Sequence, residues 1–381
     1  MKHLPPKRCV HVASVHAADD PRVLRKECEA LAAAGFDVHL IARPPKTAPA
    51  NGELSEAVTT HVVPTPSSRP RRIAETFGRI RRLALALDAD VYHFHDPELM
   101  PFGVELGLRG KTVIYDVHED YRVQVLTKQW IHPLVRRVAG GAIAATEAVT
   151  DRAVSAVVAA TPDIASNFDP GKTEVVFNFP RLDEFGEPGR VAHADRPPWV
   201  SYVGTLYLSR GVKEMVEASG LVDPALGAQV VIGGTATNAP TQAVVDAAQA
   251  LPHVDIRGWL DRPAVTELLA ASRAGLVVLQ PERRFMTTYP VKMFEYMAAG
   301  LPVIASDFPL WREIVERDRC GLVVDPTDPA AIARAIEWVL RHPDEAQAMG
   351  ERGRQAIETR YNWDIEGAKL VALYRRLLAE V

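Results

Sequence analysis

The chain has 381 residues, of which 47% are hydrophobic and 24% charged, and its formal net charge is −4. This is the composition of an ordinary globular protein of two to three domains, and the small net charge gives no reason to expect nucleic acid as a partner. Apolar runs fall short of the roughly 20 residues that span a bilayer, and the first residues do not resemble a secretory signal. We therefore expect a cytoplasmic protein.

The cysteines are few and far apart. Cys9, Cys28 and Cys320 form no Cys-x-x-Cys pair and are odd in number. This pattern favours buried thiols over disulfides or a zinc site.

In the first half of the chain, apolar runs of strand length alternate with helical segments. Helices are predicted over 21–34, with Asp20 as the N-cap, and over the Arg-rich stretch 69–87; the strands are CVHVASV, DVHLIA, HVV, DVYHFH, KTVIYDVH, AVVAA and TEVVF. Nearly continuous apolar strands separated by helices indicate a parallel sheet that is covered on both faces. Residues 1–180 are thus predicted to form a Rossmann-like domain.

Residues 181–198 interrupt this alternation with Pro, Gly and charged residues, which predicts a linker. The alternation then resumes over 199–359 with the strands WVSYVG, AQVVIGG, HVDIRG, AGLVVLQP, LPVIAS and CGLVVD. Long helices are expected near 329–341 and 344–379, and the last part, 360–381, is expected to pack back on the first domain. The predicted fold is therefore α/β, with two doubly wound parallel-sheet domains facing a central cleft, and ligands are expected at the carboxyl ends of the strands.

Familiar cofactor motifs do not fit this chain. No Gly-x-Gly-x-x-Gly follows a predicted strand, which argues against a nicotinamide dehydrogenase, and GLRGKT at 107–112 precedes a strand where a P-loop would follow one. Cys/His clusters with metal-ligand spacing are also missing, so we expect neither a metal nor another cofactor.

Polar residues instead follow several predicted strands. HDPEL supplies His95, Asp96 and Glu98; DVHED supplies Asp116, His118, Glu119 and Asp120; GTLYLSRG supplies Gly204, Thr205 and Arg210; and a later stretch supplies Lys292 and Glu295. The basic residues lie in the second domain and most carboxylates in the first. This distribution suits a charged nucleotide and a polyol.

The stretch YPVKMFEYMAAGLPVIASDFP at 289–309 is the most informative. It predicts a short helix from Val291 to Ala299, followed by a strand, with Lys292 and Glu295 on one helix face. Free N–H groups in the first turn suit an anion such as phosphate. On spacing alone, a surface ion pair is the more common explanation for such a pair.

That stretch resembles the donor-binding motif of the retaining glycosyltransferases of family four, which have the GT-B fold. VGTLYLSRGVKEMVEA is similar to the first strand and loop of their donor domain, and YDVHED is similar to a loop of their acceptor domain. SVHAADDPRVLRKECEALAAAGFDVHLIAR and HFHDPELMP resemble the branch that builds bacterial polysaccharides. The resemblance covers essentially the whole chain.

The resemblance implies a metal-independent transfer of sugar from a nucleotide donor, with retention of configuration. Glu295 would bind the ribose hydroxyls, Arg210 the diphosphate, and His118 the donor sugar near its reacting carbon. Gly204, Thr205 and Gly258 would belong to the donor site, with Gly258 providing a turn near the base. The acceptor-side candidates are His95, Asp96, Glu98, Asp116, Glu119 and Asp120.

The chain departs from the family pattern at two positions of the donor site. The first glutamate of the usual motif is Thr287 here, and the usual arginine after the loop glycine is Thr205. We expect Lys292 to replace the missing positive charge. These departures leave open a donor-binding subunit without catalysis, and a nucleotide-sugar epimerase of the same fold is the other alternative.

Simpler roles are also open for individual residues. His118 could be a capping histidine, Asp96 and Glu98 could be an N-cap and a first-turn charge, and Trp259 is expected in the core unless it stacks on the base. In the 69–87 helix, Arg71, Arg72, Arg79 and Arg82 lie roughly opposite the apolar side. This face is either a solvated surface or a contact with anionic membrane lipid at the inner leaflet.

Overall fold

The computed structural model describes residues 5–46, 54–64, 76–127, 132–186 and 191–379. The chain divides into two compact units, the first made of Met1–Asn178 and Trp363–Val381 and the second of Phe179–Asn362. Within the described residues, the part of 181–198 that we expected to be a linker belongs to the second unit, where it forms two short 3-10 turns, Leu182–Glu184 and His193–Asp195.

The first unit is built on a parallel sheet with seven described strands in the order β3-β2-β1-β4-β5-β6-β7. These are β1 (Arg8–Ala17), β2 (Asp37–Arg43), β3 (Thr59–Val62), β4 (Val91–Phe94), β5 (Thr112–Val117), β6 (Ala156–Ala159) and β7 (Thr173–Val175). The predicted helix after β1 begins as a π-helix over Pro21–Cys28 and continues as α1 (Glu29–Ala33), with Asp20 as its N-cap. The other described helices are α2 (Phe77–Leu87), α3 (Met100–Leu108), α4 (Tyr121–Thr127), α5 (Pro133–Ala153), α6 (Pro162–Ala165) and, at the end of the chain, Trp363–Ala379.

Both faces of this sheet are covered, as near-continuous apolar strands require. Along β1, Cys9 packs with Leu24 and Tyr374 on one face, while Val10 packs with Tyr92 and Phe102 on the other. The three cysteines of the chain are free and buried, as predicted.

The second unit has a parallel sheet with six described strands in the order β10-β9-β8-β11-β12-β13. Its strands are β8 (Trp199–Val203), β9 (Gln229–Gly233), β10 (Val254–Gly258), β11 (Ala274–Val277), β12 (Val303–Ser306) and β13 (Gly321–Val324). Its described helices are α7 (Val212–Ser219), α8 (Ala239–Ala248), α9 (Arg262–Ala271), α10 (Arg283–Met286), α11 (Val291–Ala298), α12 (Pro309–Asp318), α13 (Pro329–Arg341) and α14 (Pro343–Thr359); the helix Trp363–Ala379 of the first unit is α15. The predicted α/β class with two doubly wound parallel sheets is therefore confirmed.

The long helix predicted over 344–379 is wrong in one respect, because the structure divides it into α14 and α15. The amide nitrogen of Asn362 donates to the carbonyl oxygens of Ile357 (2.8 Å) and Glu358 (3.0 Å). This side chain satisfies carbonyl groups that the end of a helix leaves free, so the helix stops there. The break also separates the two units.

Each sheet reverses its strand order at one point, between β1 and β4 in the first unit and between β8 and β11 in the second. Loops that leave the carboxyl ends of two such strands diverge to opposite sides, which opens a crevice for ligands. Most of the polar residues singled out by sequence follow β1, β4, β5, β8 or β11, so the fold places them where α/β sheets bind ligands.

Candidate active site

Helix α11, which follows β11 in the second unit, carries Lys292 and Glu295. Met293, Phe294 and Tyr296 of this helix are fully buried. The Tyr296 hydroxyl accepts a hydrogen bond from the backbone N–H of Val203 at 2.9 Å, and the Tyr296 ring packs directly on Gly275, where a Cβ atom would overlap it. The helix is thereby fixed to the end of β8, and its charged face is placed beside the loop that follows β8.

Lys292 is the most unusual residue of this unit. Its Nζ atom is buried, lies 3.8 Å from the centroid of the Tyr202 ring, and has no hydrogen-bond partner among the described residues. Burial lowers the pKa of Lys292 well below its usual range, Arg210 lowers it further, and Glu295 opposes the shift. An anion bound beside this buried, unpartnered amine would stabilise its charged form.

Gly204 and Arg210 complete the surroundings of Lys292. Gly204, directly after β8, has φ +136, and a Cβ atom there would lie 3.2 Å from the Lys292 Nζ atom and 3.8 Å from Nη1 of Arg210. Arg210 donates from Nη1 to the Thr205 carbonyl at 3.2 Å. The residue after it, Gly211, has φ +77 and packs so closely on Val278 that a side chain would overlap its backbone. The amine of Lys292, the guanidinium group of Arg210 and a glycine backbone thus converge at the end of β8.

Glu295 is held by an arginine that sequence reasoning missed. Arg262, in the first turn of α9, donates from Nη1 to Glu295 at 2.6 Å and also forms an ion pair with Glu184. Burial alone would lower the pKa of Arg262, but the two carboxylates outweigh it and raise the pKa. Arg262 therefore fixes the Glu295 carboxylate in position.

The remaining predicted donor-site residues lie on loops. Thr205 and Thr287 are exposed, and Gly258 ends β10 with φ +66, a left-handed conformation that favours glycine. Trp259 is 67% exposed, so its predicted place in the core is wrong. The side chain of the next residue, Leu260, packs against Gly233 instead.

In the first unit, Asp96 does not cap its own helix. Its Oδ2 atom accepts hydrogen bonds from the backbone N–H groups of Ser14 (2.6 Å) and Val15 (2.8 Å), and its Oδ1 atom lies 2.9 Å from Nδ1 of His16. Burial alone would raise the pKa of Asp96, but His16 and the backbone N–H of Val15 lower it. Asp96 thus ties the loop after β1 to the loop after β4, at the point where the strand order reverses.

Asp116 and His118, at the end of β5, form the second part of this site. The Asp116 Oδ2 atom lies 3.2 Å from Nε2 of His118, whose side chain is 12% exposed, and the buried His95 lies beside both. Glu98 and Glu119 are exposed, and Asp120 accepts a hydrogen bond from the backbone N–H of Val123 at 3.0 Å in the first turn of α4. The structure therefore brings His95, Asp116 and His118 together and leaves Glu98, Glu119 and Asp120 outside their cluster.

Two buried residues on the helix after β1, Arg22 and Glu27, lie next to Asp116. Arg22 lies 2.9 Å from Oε1 of Glu27 and 3.3 Å from Oδ1 of Asp116. Burial would raise the pKa of Asp116, but Arg22 and His118 outweigh it and hold that pKa well below its usual range. For Glu27, burial and the nearby Asp116 raise the pKa. The surroundings therefore favour the ionised form of Asp116 and the protonated form of Glu27.

Some of these side chains have the chemistry of metal ligands. Two sets bring one nitrogen or oxygen atom of each member within 4.8 Å of the others: His11, Glu27, His93 and His95, and also Glu27, His95, Asp116 and His118. Arg22 already supplies a cation to the carboxylates of both sets, and the ring nitrogens of His11 and His95 are hydrogen-bonded to each other at 2.9 Å. Both oxygens of Glu27, Nε2 of His93 and Oδ2 of Asp116 have no hydrogen-bond partner among the described residues.

The basic helix of the first unit is described in part. Arg71 and Arg72 lie outside the described residues, whereas Arg79 and Arg82 lie exposed on α2, whose Ile80 and Ala84 are buried. Among the described helices, none combines the length with the apolar character that is needed to cross a bilayer.

Two parallel-sheet units, each with polar loops at the point where its strand order reverses, define a GT-B architecture. Known proteins bear this out: residues 183–356 match the family "Glycosyl transferases group 1", and residues 21–179 match "Glycosyltransferase Family 4". The chain belongs to these family-four glycosyltransferases, and the family predicted from the sequence is confirmed.

Individual proteins agree with this assignment. The chain is 26% identical to the D-rhamnosyltransferase WbpZ of Pseudomonas aeruginosa over 296 residues, which are 75% of this chain and 71% of WbpZ. In fold, it is similar to the sucrose-phosphate synthase of Thermosynechococcus elongatus, with a TM-score of 0.76, 22% identity and coverage of 98% of this chain and 100% of the synthase. It is also similar to Anabaena HepE in complex with UDP-glucose, with a TM-score of 0.69, 11% identity and coverage of 97% and 99%.

Proposed function

We propose that the protein transfers a sugar from a nucleotide-sugar donor whose diphosphate binds at Gly204, Arg210 and Lys292. The observation that carries this proposal is the buried Nζ atom of Lys292, which lies beside Arg210 and has no hydrogen-bond partner among the described residues. A diphosphate would supply an anion for Arg210 and would favour the charged form of the Lys292 amine. Charge-assisted hydrogen bonds of this kind contribute about 1.5–3 kcal/mol each.

Glu295 would then bind the ribose hydroxyls of the donor. A carboxylate accepts hydrogen bonds from neighbouring hydroxyl groups, and Arg262 holds this one at 2.6 Å, so little rearrangement is needed. The structure of HepE with UDP-glucose supports a donor of this chemical class. In place of the first glutamate of the family motif, Thr287 offers one hydroxyl group to the donor sugar.

In the transfer step, the bond between the sugar and the diphosphate breaks, the acceptor oxygen bonds to the sugar with retention of configuration, and the proton of the acceptor hydroxyl passes to the leaving diphosphate. Arg210 and Lys292 would stabilise the negative charge that develops on the leaving diphosphate, without a metal. We propose that His118 contacts the donor sugar, and that the loops after β4 and β5 bind the acceptor. Because this chain has Thr205 where the family pattern has an arginine, the donor site depends on Lys292 for this positive charge.

A panel of nucleotide sugars, each incubated with and without sugar or lipid-linked acceptors, tests the proposal. We expect release of free nucleotide that depends on an acceptor. An isomerised donor would instead identify an epimerase, and tight binding without turnover would identify a donor-binding subunit. Thermal-shift measurements with UDP, GDP, ADP and dTDP select the base, because a ligand at 100 times its Kd stabilises the native state by about 2.7 kcal/mol.

The buried lysine predicts that nucleoside diphosphates bind with uptake of a proton. The lowered pKa of Lys292 favours the neutral amine in the free protein, whereas a diphosphate beside it favours the ammonium form. The affinity for the diphosphate should therefore rise as the pH falls. Between the pKa of Lys292 in the bound protein and its pKa in the free protein, the rise is at most about tenfold per pH unit. Calorimetry in buffers of different ionisation enthalpy measures the uptake, and the Lys292→Met variant should show none. Equal apparent enthalpies in all buffers for the wild-type protein would contradict the prediction.

We also propose that the protein works at the cytoplasmic face of the membrane, held by the basic side of helix α2. Exposed arginines there attract anionic lipid at about 1 kcal/mol each. Flotation with anionic vesicles at moderate salt should recover the wild-type protein and less of an Arg79→Gln/Arg82→Gln variant. Equal recovery of both would rule out this surface.

A further inference from the structure

Tyr374, on the last helix of the chain, joins a row of buried histidines in the first unit. Its hydroxyl oxygen lies 2.8 Å from Nδ1 of His93 and 3.0 Å from Nε2 of His11. Nδ1 of His11 lies 2.9 Å from Nε2 of His95. We call His93, Tyr374, His11 and His95 the histidine ladder.

Both ends of the ladder face the same carboxylate. The Asp116 Oδ2 atom lies 3.6 Å from Nε2 of His93 and 3.4 Å from Nδ1 of His95. That same oxygen lies 3.2 Å from Nε2 of His118. Neither ring nitrogen forms a hydrogen bond with this oxygen, so the ladder is a chain of hydrogen bonds whose two ends face the carboxylate beside His118.

Burial favours the uncharged form of the three ladder histidines. Burial lowers the pKa of His11 well below its usual range, lowers that of His93, and lowers that of His95 to about 3. A neutral imidazole has one N–H donor and one acceptor nitrogen, so a hydrogen bond at one nitrogen decides what the other can do.

The phenol of Tyr374 has a single hydrogen to donate, and this couples the two ends of the ladder. If Tyr374 donates to Nδ1 of His93, the proton of that ring lies on Nε2, which faces Asp116. Tyr374 then accepts from Nε2 of His11, so Nδ1 of His11 accepts from Nε2 of His95. As a result, Nδ1 of His95 presents a lone pair to Asp116. If Tyr374 donates to His11, both roles are reversed. In either arrangement, the ladder directs one N–H group toward Asp116 and not two.

We propose that Tyr374 is a positioning residue for His118. The hydrogen bond of His118 Nε2 is to Nδ1 of His95 at 3.4 Å, so the ladder acts on His118 through that contact. When Nδ1 of His95 presents a lone pair, His118 donates from Nε2 and leaves its Nδ1 as an acceptor. Arg22 and Glu27 also face this cluster, and His16 packs edge-on against His118 with ring centroids 4.9 Å apart. Glu27 faces the ladder at His95, with Oε2 3.7 Å from Nδ1 of that ring, whereas the Tyr374 hydroxyl contacts His93 and His11. Tyr374 therefore acts on His118 through His11 and His95. This inference rests on the proposed contact between His118 and the sugar.

The Tyr374→Phe variant tests the inference through the ring nitrogens. NMR of protein labelled with ¹⁵N in its histidine rings should show, in the wild type, one protonated and one unprotonated nitrogen among Nε2 of His93 and Nδ1 of His95. Without the phenol, both rings are free to donate to Asp116, so both nitrogens should become protonated. Turnover should fall by about 10- to 100-fold, while the Kd for a nucleoside diphosphate, which we assign to the second unit, should stay unchanged.

Tyr115→Phe is the matched control, because the Tyr115 hydroxyl is buried in the same unit but has no hydrogen-bond partner among the described residues. It should change neither the ring signals nor turnover. Wild-type ring signals in Tyr374→Phe, or changed signals with unchanged turnover, would overturn the inference. A His118→Gln variant separates the proposed sugar contact of His118 from the proposed role of Tyr374. If this variant keeps full turnover, the sugar contact is wrong, and the ring signals of Tyr374→Phe still test whether the phenol sets the protonated nitrogens of the ladder.

Discussion

Replacing Lys292 by Met should lower turnover by about 10²- to 10³-fold and at the same time make the protein more stable. The first effect follows because a cation aimed at charge that develops on the leaving group is lost. The second follows because the Nζ atom is buried without a hydrogen-bond partner among the described residues, and such a group costs about 1–3 kcal/mol. Methionine has a similar length and is apolar. Steady-state kinetics and urea unfolding measure the two effects.

Lys213→Met is the control for this substitution. Lys213 is an exposed lysine of the same unit, 3.6 Å from Glu217, and its loss should change turnover little and stability by no more than about 0.5 kcal/mol. If Lys292→Met keeps wild-type turnover, the lysine belongs to the fold and not to the donor site. If it loses both activity and stability, the buried amine has a structural partner and the proposed role is wrong.

Replacing Asp116 by Asn should destabilise the first unit by about 3–5 kcal/mol, the usual cost of breaking a buried ion pair. Asn keeps the shape of Asp116 but removes the charge that Arg22 faces at 3.3 Å. Because the pKa of Asp116 is held well below its usual range, its stabilising effect is present above the unfolded pKa of about 3.9 and is lost as the pH falls through the folded value. Urea unfolding at neutral pH measures the loss.

The neighbouring Glu119→Gln variant removes a charge from an exposed side chain and should change stability by less than about 0.5 kcal/mol. Two units can unfold in separate transitions, so the change should appear in one of them. A loss below about 1 kcal/mol in Asp116→Asn would show that Arg22 and the histidines do not depend on this carboxylate.

Local signals in the sequence were sufficient for the strands and for helix α11. Pro290 and Gly300 bound that helix in the sequence, and the structure begins it at Val291 and ends it at Ala298. Alternating apolar strands and helices gave both doubly wound sheets. These features depend on neighbours in the chain, which a sequence displays directly.

The partners of the functional residues could not be predicted in the same way. Arg262 lies 33 positions from Glu295, and Tyr374 lies 363 positions from His11, so their contacts exist through the fold alone. Trp259 was predicted in the core because it is an aromatic residue after a strand. The turn at Gly258 instead leaves its side chain exposed to solvent. The spacing of Lys292 and Glu295 was visible in the sequence, whereas the burial of the Lys292 amine was not.

A crystal structure of the protein with a bound nucleoside diphosphate tests the central claim most directly. The proposal predicts phosphate oxygens within hydrogen-bond distance of the Lys292 Nζ atom and of Arg210, above Gly204, with the ribose hydroxyls on Glu295. Phosphates bound away from these side chains, with the Lys292 amine still unpartnered, would contradict it.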